Sequence, residues 1–564
     1  MRDRLQRHSW AGDSLKFMKL WRWLLPLISG VLLSFALPDP LVNPPLPGWL
    51  FFPALVPLFV LVARSRQPRE AFWYGFAFGA PFFASYILWL PQSFAVLLGS
   101  FFWVLYPPMV LILASFWGLV TWLSRQLGGP GLGALALLPA FWVLMEWART
   151  QGYFAFPWGT LGYLWLDTPI VQLADTVGTY GLSLLTTVLT ALLALPFIPG
   201  GQDRPHRHSS WRLPRHALPL LAALGIWAAA WATGSFKITF TGNNLPSDDH
   251  SALLVQGNLD PFGRLNTVGE ELRIQTDLTA RAAAVLAQDP ELVIWPEGAV
   301  LSSPLEDLPG QPARQEIQTS APASTFILGA GAFEAASGHW FNSVYSLNNT
   351  QVIDRYDKRF LVPFGERWPL IGVAAPLYRA VFGLFGLPLL QGRSPGRSLH
   401  PLQTPEGPVA AYICYESVFP QVQSAMVRQG ATLLVNITND AWFARGKGAR
   451  QHFDMGRMRA IETRRYLLRA GINGITGVID PLGRVGEVLE RGVADTLLVR
   501  FGQSTVITPY VRYGRLLIPA LLLYLLVTLA LSWRRRNLGT RAVVGDQDDR
   551  SPEIGTSGQT TDDP

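Results

Sequence analysis

The chain has 564 residues, a mean hydropathy of +0.23 and charged side chains at only 15% of its positions. Ordinary soluble domains carry about 25% charged residues, so this composition excludes a purely soluble protein. The net charge of +7 does not indicate a nucleic-acid partner, because the basic residues cluster beside apolar segments, as juxtamembrane charges do. A single cysteine, Cys414, excludes an intramolecular disulfide and a zinc site built on several thiolates.

Long apolar segments divide the chain into a membrane-embedded part and one large polar region. A transmembrane helix needs about 20 apolar residues, and we predict an α-helical membrane domain of seven spans at 20–240, with an eighth span near the end of the chain. The predicted helices lie at about 20–37, 47–63, 71–90, 97–123, 132–148, 178–198, 217–234 and 515–533. The polar region between the last two, 245–505, is predicted to be a separate domain.

Basic residues predict the side of the membrane on which each loop lies. They precede the first predicted helix and follow the second, fourth, sixth and eighth: Arg2, Arg4, Arg7, Lys16, Lys19, Arg64, Arg66, Arg69, Arg125, Arg204, Arg207, Arg212, Arg215, Arg534, Arg535 and Arg536. All of them are cytoplasmic, as the positive-inside rule requires, if the N-terminal tail, 1–19, is cytoplasmic. The 245–505 domain then lies outside the cytoplasm. The polar, acidic tail, 537–564, is predicted to be disordered and cytoplasmic.

The 245–505 region alternates strand-like and helix-like segments. Predicted strands lie at 251–255, 292–295, 325–328, 341–347, 351–357, 409–413, 432–438, 477–480 and 496–500. Predicted helices lie at 270–288, 421–429 and 450–465. Strands with helices between them are typical of a layered α/β domain.

The segment 369–390 is nearly all apolar and about as long as a membrane span. A span here would put Cys414 on the opposite side of the membrane from the other candidate catalytic residues, and Arg379 would be costly in its middle. Two interpretations remain: an arm that lies on or dips into the outer leaflet, or an ordinary buried helix of the polar domain.

Three residues suited to acyl transfer each follow a strand-like run. Glu297 ends the run that begins at Leu292, Lys358 follows 351–357, and Cys414 follows 409–413. A thiol attacks carbonyls as the thiolate, a carboxylate can take its proton, and a cation can stabilise the oxyanion of a tetrahedral intermediate. Taken singly, Cys414 also fits a small buried side chain, Glu297 a helix cap and Lys358 a solvated basic face.

Together with their neighbours, these residues resemble the nitrilase superfamily, which uses a Glu-Lys-Cys set in an α-β-β-α sandwich. The matching stretches are Trp295-Pro296-Glu297, the run from Tyr356 to Glu366, Ile413-Cys414-Tyr415-Glu416, and the run from Asn436 to Phe443. A domain of this kind placed between membrane spans is similar to the apolipoprotein N-acyltransferase family of the bacterial envelope.

The resemblance implies a role for each matching residue. Glu297 is implied as general base, Lys358 as the oxyanion-stabilising lysine and Cys414 as nucleophile. Supporting and substrate-binding roles are implied for Glu366, Tyr415, Glu416, Trp442, Phe443, Phe156 and Trp158. The family usually has a functional Trp where this chain has Leu265, so that position is left out of the predicted site.

The resemblance also implies the reaction. A phospholipid, phosphatidylethanolamine through its sn-1 chain, would acylate the cysteine as a thioester. The α-amine of a diacylglyceryl-cysteine at an apolipoprotein's N-terminus would then take the acyl chain by a ping-pong mechanism. The implied location is the bacterial inner membrane, with the catalytic domain in the periplasm. No cofactor, metal or nucleic acid is expected: the glycine-rich stretch 128–131 lacks the Lys-Ser/Thr of a phosphate-binding loop, and the eight His show no metal-ligand spacing.

Two other classes of function remain open from the sequence. A membrane-tethered amidase or nitrilase would use the same three residues with water as the acceptor. A transporter or scaffold would carry a degenerate outer domain, although transporters usually have polar or charged groups within their spans. Here such residues, Glu146 and Asp175 among them, are few and lie near the membrane edges.

Overall fold

The computed structural model of the chain describes residues 20–37, 51–98, 102–198, 217–259, 269–300, 305–306, 308–368, 370–384, 392–443 and 446–548. Apolar helices make up its first part. They are α1 (Leu20–Ala36), α2 (Phe51–Arg64), α3 (Pro68–Tyr86), α4 (Trp89–Leu98), α5 (Phe102–Gly128), α6 (Leu132–Ala148), α7 (Ala174–Ala194) and α8 (Ala217–Asn243). The polar region begins a few residues after α8.

Apolar helices lie at all eight predicted segments, but they differ in length. Among the described residues, four helical stretches are long and apolar enough to cross a membrane: Trp103–Gly128, Pro169–Phe197, Ala217–Gly242 and Pro509–Arg534. The pair α3 and α4, bent by 47°, makes a fifth if it is one span, whereas α1, α2 and α6 are shorter apolar helices.

Small residues let α3 and α5 pack closely. A Cβ atom at Gly75 would lie 2.5 Å from the carbonyl oxygen of Trp117, and one at Gly79 would lie 3.0 Å from the Cα of Ala114. The Thr121 hydroxyl also donates to the carbonyl oxygen of Ala71 at 2.8 Å. Close backbone approach through small residues is the usual way in which membrane helices associate.

The polar region folds around two mixed β-sheets. The first sheet contains β1 (His250–Gln256), β2 (Leu292–Ile294), β3 (Thr325–Glu334), β4 (His339–Asn348), β5 (Gln351–Asp357) and β11 (Asp495–Phe501), in the order β11-β1-β2-β3-β4-β5. The second contains β6 (Val409–Ile413), β7 (Leu433–Thr438), β8 (Leu467–Gly471), β9 (Gly477–Ile479) and β10 (Val485–Val488), in the order β10-β9-β8-β7-β6. β1, β2 and β3 are parallel, as are β6, β7 and β8.

Helices cover the outer faces of both sheets. The remaining helices are α9 (Glu270–Ala283), α10 (Gln311–Ser320), α11 (Ile371–Leu384), α12 (Pro420–Arg428), α13 (Gly448–Thr463), α14 (Pro509–Tyr513) and α15 (Leu517–Asp548). On β1, Leu253 and Val255 pack with Ile317 of α10, whereas Ala252 and Leu254 belong to the core shared with the second sheet. This alternation is the period of two expected of a strand buried on both faces. With α12 and α13 against the second sheet, the layers are α-β-β-α, which confirms the predicted fold class.

Several elements differ from those predicted. The sequence reading missed α10, β8 and β10. α15 continues through Asp548, into the segment predicted to be a disordered tail; no proline interrupts its hydrogen bonding after Pro519. α11 lies within 369–390 and is largely exposed, with Val373 at 81% of its full accessibility. The interpretation of this segment as an ordinary buried helix of the polar domain is therefore wrong.

Buried polar groups join the sandwich to α7, where that helix is kinked. Gly178 has a φ of 67° and interrupts the helix, and the backbone N–H of Thr179 donates instead to Oε1 of Glu462 at 2.8 Å. Nearby, Nη2 of Arg464 contacts Oδ2 of Asp175 at 2.7 Å. Charges buried in pairs are costly to separate, so this contact fixes the sandwich against the membrane helices.

Candidate active site

The three predicted catalytic residues lie at the ends of strands from both sheets. Glu297 follows β2 and Lys358 follows β5 in the first sheet, whereas Cys414 directly follows β6 in the second. All three side chains are buried. The carboxylate of Glu297 and the ammonium group of Lys358 both act electrostatically on the thiol of Cys414. The fold therefore brings together three residues of which the first and the last, Glu297 and Cys414, are more than 100 positions apart in the chain.

Lys358 lies between two carboxylates. Its Nζ is 3.2 Å from Oε1 of Glu297 and 2.8 Å from Oε1 of Glu366. Burial alone would lower the pKa of Lys358, but the two carboxylates outweigh burial and hold that pKa above its ordinary value. Lys358 is therefore a fixed cation, as oxyanion stabilisation requires.

Asn342, which the sequence analysis missed, holds both carboxylates in place. Its Nδ2 donates to Oε1 of Glu297 and to Oε1 of Glu366, each at 2.7 Å. The backbone N–H of Asn439 donates to the second oxygen of Glu297 at 2.9 Å, and that of Val362 donates to the second oxygen of Glu366 at 2.9 Å. Every carboxylate oxygen thus has a donor, which fixes the orientation of the acid relative to the lysine.

Cys414 adopts a backbone conformation that is uncommon for residues other than glycine. Its φ is 50°, and it begins the short 3-10 helix Cys414–Val418. Nε2 of His452 lies 2.9 Å from the carbonyl oxygen of Cys414. Because a carbonyl only accepts, Nε2 carries the proton. Burial and the charge of Arg469 lower the pKa of His452, so a neutral ring holds the cysteine backbone. The sequence analysis also missed this histidine.

The thiol of Cys414 is not a ready-made thiolate. Burial, followed by the negative charge of Glu297, raises its pKa above the ordinary value, although Lys358 acts in the opposite direction. The two carboxylates around Lys358 outnumber its single positive charge. Their presence further disfavours a thiolate at Cys414. Nucleophilic attack by this thiol would therefore require a base, and Glu297 is a nearby carboxylate.

Glu416, predicted to support the reaction, ties the ends of two strands together. It accepts hydrogen bonds from the backbone N–H of Ile413 at 2.9 Å, the hydroxyl of Tyr356 at 2.7 Å and the backbone N–H of Arg359 at 2.8 Å. Since these donors flank Lys358 and Cys414, Glu416 fixes the lysine relative to the cysteine across the gap between the sheets.

A loop of the membrane part closes one side of the site. The hydroxyl of Tyr415, next to Cys414 in the chain, donates to the carbonyl oxygen of Ala155 at 2.5 Å. Trp158 stacks on the Tyr415 ring, with centroids 5.8 Å apart and planes inclined by 16°, and Phe156 stacks on Trp158 at 4.8 Å. Two of the four aromatics predicted to bind substrate therefore lie in one stack that ends on Tyr415.

Phe443, a third predicted aromatic, is linked to Trp158 through the ring of Trp89. Phe443 ends the 3-10 helix Asp440–Phe443 and contacts the ring of Trp89 edge-on at 4.9 Å. Trp89, at the start of α4, also packs on Trp158 at 5.7 Å, and the sequence analysis missed it. The side chain of Trp442 and the whole of Leu265 lie outside the part of the chain that the structure describes.

No metal-binding cluster of three or more His, Cys, Asp or Glu residues occurs among the described residues. The buried carboxylates at the site are bound by the Lys358 ammonium and by N–H donors instead.

An acid, a lysine and a thiol at strand ends of an α-β-β-α sandwich, joined to apolar helices, define a membrane-bound member of the nitrilase superfamily. Residues 29–192 match the model of the apolipoprotein N-acyltransferase N-terminal domain, and residues 268–513 match that of the carbon-nitrogen hydrolases. The chain is 30% identical over 534 residues to the apolipoprotein N-acyltransferase of Geobacter metallireducens, covering 92% of this chain and 96% of that one. It belongs to the apolipoprotein N-acyltransferase family.

A second relative is consistent with this assignment. The apolipoprotein N-acyltransferase of Methylococcus capsulatus is 32% identical over 499 residues, which cover 87% of this chain and 92% of that one. Nit3 of Saccharomyces cerevisiae, a member of branch 10 of the nitrilase superfamily, is 18% identical with a TM-score of 0.34, covering 45% of this chain and 90% of that one. The predicted family, enzyme class and membrane character are confirmed by the sequence matches, and a non-enzymatic transporter is excluded.

Proposed function

We propose that the enzyme transfers an acyl chain from the sn-1 position of a phospholipid, phosphatidylethanolamine, to the N-terminal amine of diacylglyceryl-cysteine on apolipoproteins. The carrier is a thioester on Cys414. One observation supports this most: the Glu297–Lys358–Cys414 set is closed on one side by a membrane-domain loop that contacts Tyr415 directly. A reacting centre built against the membrane part suits substrates that are both anchored lipids.

In the first half-reaction, the sulfur of Cys414 attacks the ester carbonyl while Glu297 takes the thiol proton. Lys358 stabilises the oxyanion that forms. When the tetrahedral intermediate collapses, the bond to the glycerol oxygen breaks, and Glu297 returns the proton to that oxygen. Lysophospholipid leaves, and the acyl chain remains on the sulfur as a thioester.

In the second half-reaction, the acceptor amine attacks the thioester carbonyl. Glu297 takes a proton from the amine, Lys358 again stabilises the oxyanion, and the carbon–sulfur bond breaks. The proton returns to the sulfur of Cys414, and the product is an amide. One nucleophile that alternates between two substrates in this way gives ping-pong kinetics.

The supporting residues position these groups. Glu366 fixes the ammonium group of Lys358, and Glu416 fixes the strand ends that carry the lysine and the cysteine. Substrate-lining roles are proposed for Phe156, Trp158, Trp442 and Phe443. A wall of aromatic rings excludes water, which favours transfer of the thioester to the amine over its hydrolysis.

We further propose that the catalytic domain, 245–505, lies on the periplasmic side of the inner membrane, between the membrane domain, 20–240, and a final span at 515–533. The tails, 1–19 and 537–564, are then cytoplasmic. The distribution of basic residues supports this orientation. The exposed apolar side chains of α11, among them Val373 and Leu377, support contact of this arm with the outer leaflet, since exposed apolar patches mark interaction surfaces.

The acceptor distinguishes this function from a membrane-tethered amidase that uses water. Purified enzyme in phosphatidylethanolamine vesicles should convert a peptide with an N-terminal diacylglyceryl-cysteine into its N-acyl form, detected by mass spectrometry. The same peptide with its amine acetylated should give no product. Free fatty acid released at the same rate with and without the peptide would favour the amidase instead.

A further inference from the structure

Arg367 is a cation at the edge of the active site. Its Nη2 donates to the carbonyl oxygen of Gly152 at 3.1 Å, and its guanidinium lies over the ring of Tyr153, 4.5 Å from the centroid. Its buried Nε has no hydrogen-bond partner among the residues that the structure describes. Within the same residues, Arg367 forms no ion pair closer than 4.0 Å. A guanidinium that is partly removed from water and retains an unused donor suits an oxyanion ligand.

The surroundings of Arg367 resemble a membrane–water interface. Tyr153 and Phe154 of the membrane-domain loop are 57% and 60% exposed, and Phe364 of the catalytic domain contacts Phe154 with ring centroids 6.0 Å apart. Exposed Ile371 begins α11 only four positions after Arg367. Aromatic rings are enriched at the depth of lipid headgroups, and a cation among them would meet phosphate groups there.

Arg367 also lies close to the reacting groups. It follows Glu366, which binds the catalytic lysine, and its charge is near enough to Tyr415 and Glu366 to interact with both. Burial lowers the pKa of Arg367, and the nearby Glu366 carboxylate offsets this only in part. In a glycerophospholipid, only the glycerol unit separates the phosphate from the sn-1 ester, so the two groups must bind close together.

We propose that Arg367 binds the phosphate of the glycerophospholipid donor and thereby places the sn-1 ester near Cys414. This inference rests on the proposed function and adds a headgroup site to it. Arg367 is a positioning residue, because it touches the donor but none of the reacting atoms. The competing explanation is structural: Arg367 could only hold the loop of Gly152 against the catalytic domain.

The test compares Arg367→Gln with Arg393→Gln. Arg393 is a matched control because its backbone N–H donates to the carbonyl oxygen of Glu366, while its guanidinium lies over the Trp340 ring. For each protein, the rate of thioester formation is measured as a function of phosphatidylethanolamine concentration in mixed micelles with a neutral detergent. The rate of alkylation of Cys414 by iodoacetamide, which needs no phosphate, reports whether the site is intact.

We expect Arg367→Gln to raise the half-saturating lipid concentration roughly tenfold, since hydrogen bonds to charged groups are among the stronger ones. The maximal rate and the alkylation rate should stay unchanged, and Arg393→Gln should match the unaltered enzyme. The inference is wrong if the lipid dependence does not change, if Arg393→Gln has the same effect, or if alkylation changes in parallel. If the unaltered enzyme forms no thioester with any phospholipid, the proposed function itself fails.

Discussion

A Cys414→Ala protein should not support lipoprotein maturation in a bacterial strain that lacks its own N-acyltransferase. Removing the nucleophile leaves no atom to carry the acyl chain, and the loss should be at least about 10⁴-fold, as for other covalent catalysts. Growth of the strain and the mass of its lipoprotein N-termini are the measurements. Mature, triacylated lipoproteins made with Cys414→Ala would contradict a thioester route.

The control for this substitution is the amount and thermal stability of the protein. Alanine and cysteine are both residues with a Cβ, so alanine faces the same backbone strain at a φ of 50°. The melting temperature of Cys414→Ala should therefore lie near that of the unaltered enzyme. A large decrease would mean that the loss of function reflects folding, and Cys414→Ser would then be the variant to compare.

A Glu297→Gln protein should form the thioester about 10²- to 10⁴-fold more slowly, the range for loss of a general base. The substitution also alters the pH dependence. Burial raises the pKa of Cys414, so without the base only the rare thiolate reacts, and the rate should rise about tenfold per pH unit from pH 7 to pH 8.5. With Glu297 present, the thiol is deprotonated during attack, and the rate should change much less over this interval.

Glu291→Gln is the matched control for Glu297→Gln. Glu291 directly precedes β2, as Glu297 follows it, but Glu291 pairs with His250 and lies at the opposite end of the strand. Its replacement should leave both the rate and its pH dependence unchanged. Equal effects of the two substitutions, or a Glu297→Gln rate that stays flat with pH, would remove Glu297 from the role of base.

The parts of the site that follow apolar strands could be predicted from the sequence. Glu297 and Cys414 each follow a short run of buried, strand-forming residues, whereas Lys358 follows a strand in which only Tyr356 is buried. Positions after strands place side chains at a sheet edge. The aromatics Phe156 and Trp158 could be linked to the site only through family resemblance, because no local pattern shows that an intervening membrane loop folds back onto Tyr415.

Other residues could not be predicted because their roles arise from tertiary contacts. Asn342 is 45 positions from Glu297, and His452 is 38 from Cys414. A polar residue in a strand or helix looks the same in sequence whether it faces water or a catalytic carboxylate. The contacts of Trp89 with Trp158 and Phe443 likewise join segments far apart in the chain.

The missed elements have similar explanations. β8 contains Arg469 at its centre, a residue that weakens a strand prediction, yet the structure buries it against both carboxylate oxygens of Asp440 at 2.9 and 2.8 Å. α10 buries only a narrow stripe, with Ala313 and Ile317 four positions apart in a mostly polar segment. Every residue of β10 is exposed. In each case pairing or packing outweighs the local pattern.

Intact-mass spectrometry of the purified enzyme, incubated with phosphatidylethanolamine and no acceptor, is the most direct test of a thioester intermediate on Cys414. The mass should increase by one acyl chain, hydroxylamine should remove the added mass because thioesters are labile to it, and Cys414→Ala should show no increase. An unmodified mass with every phospholipid tested, or an acyl group that stays on Cys414→Ala, would contradict a thioester intermediate at this cysteine.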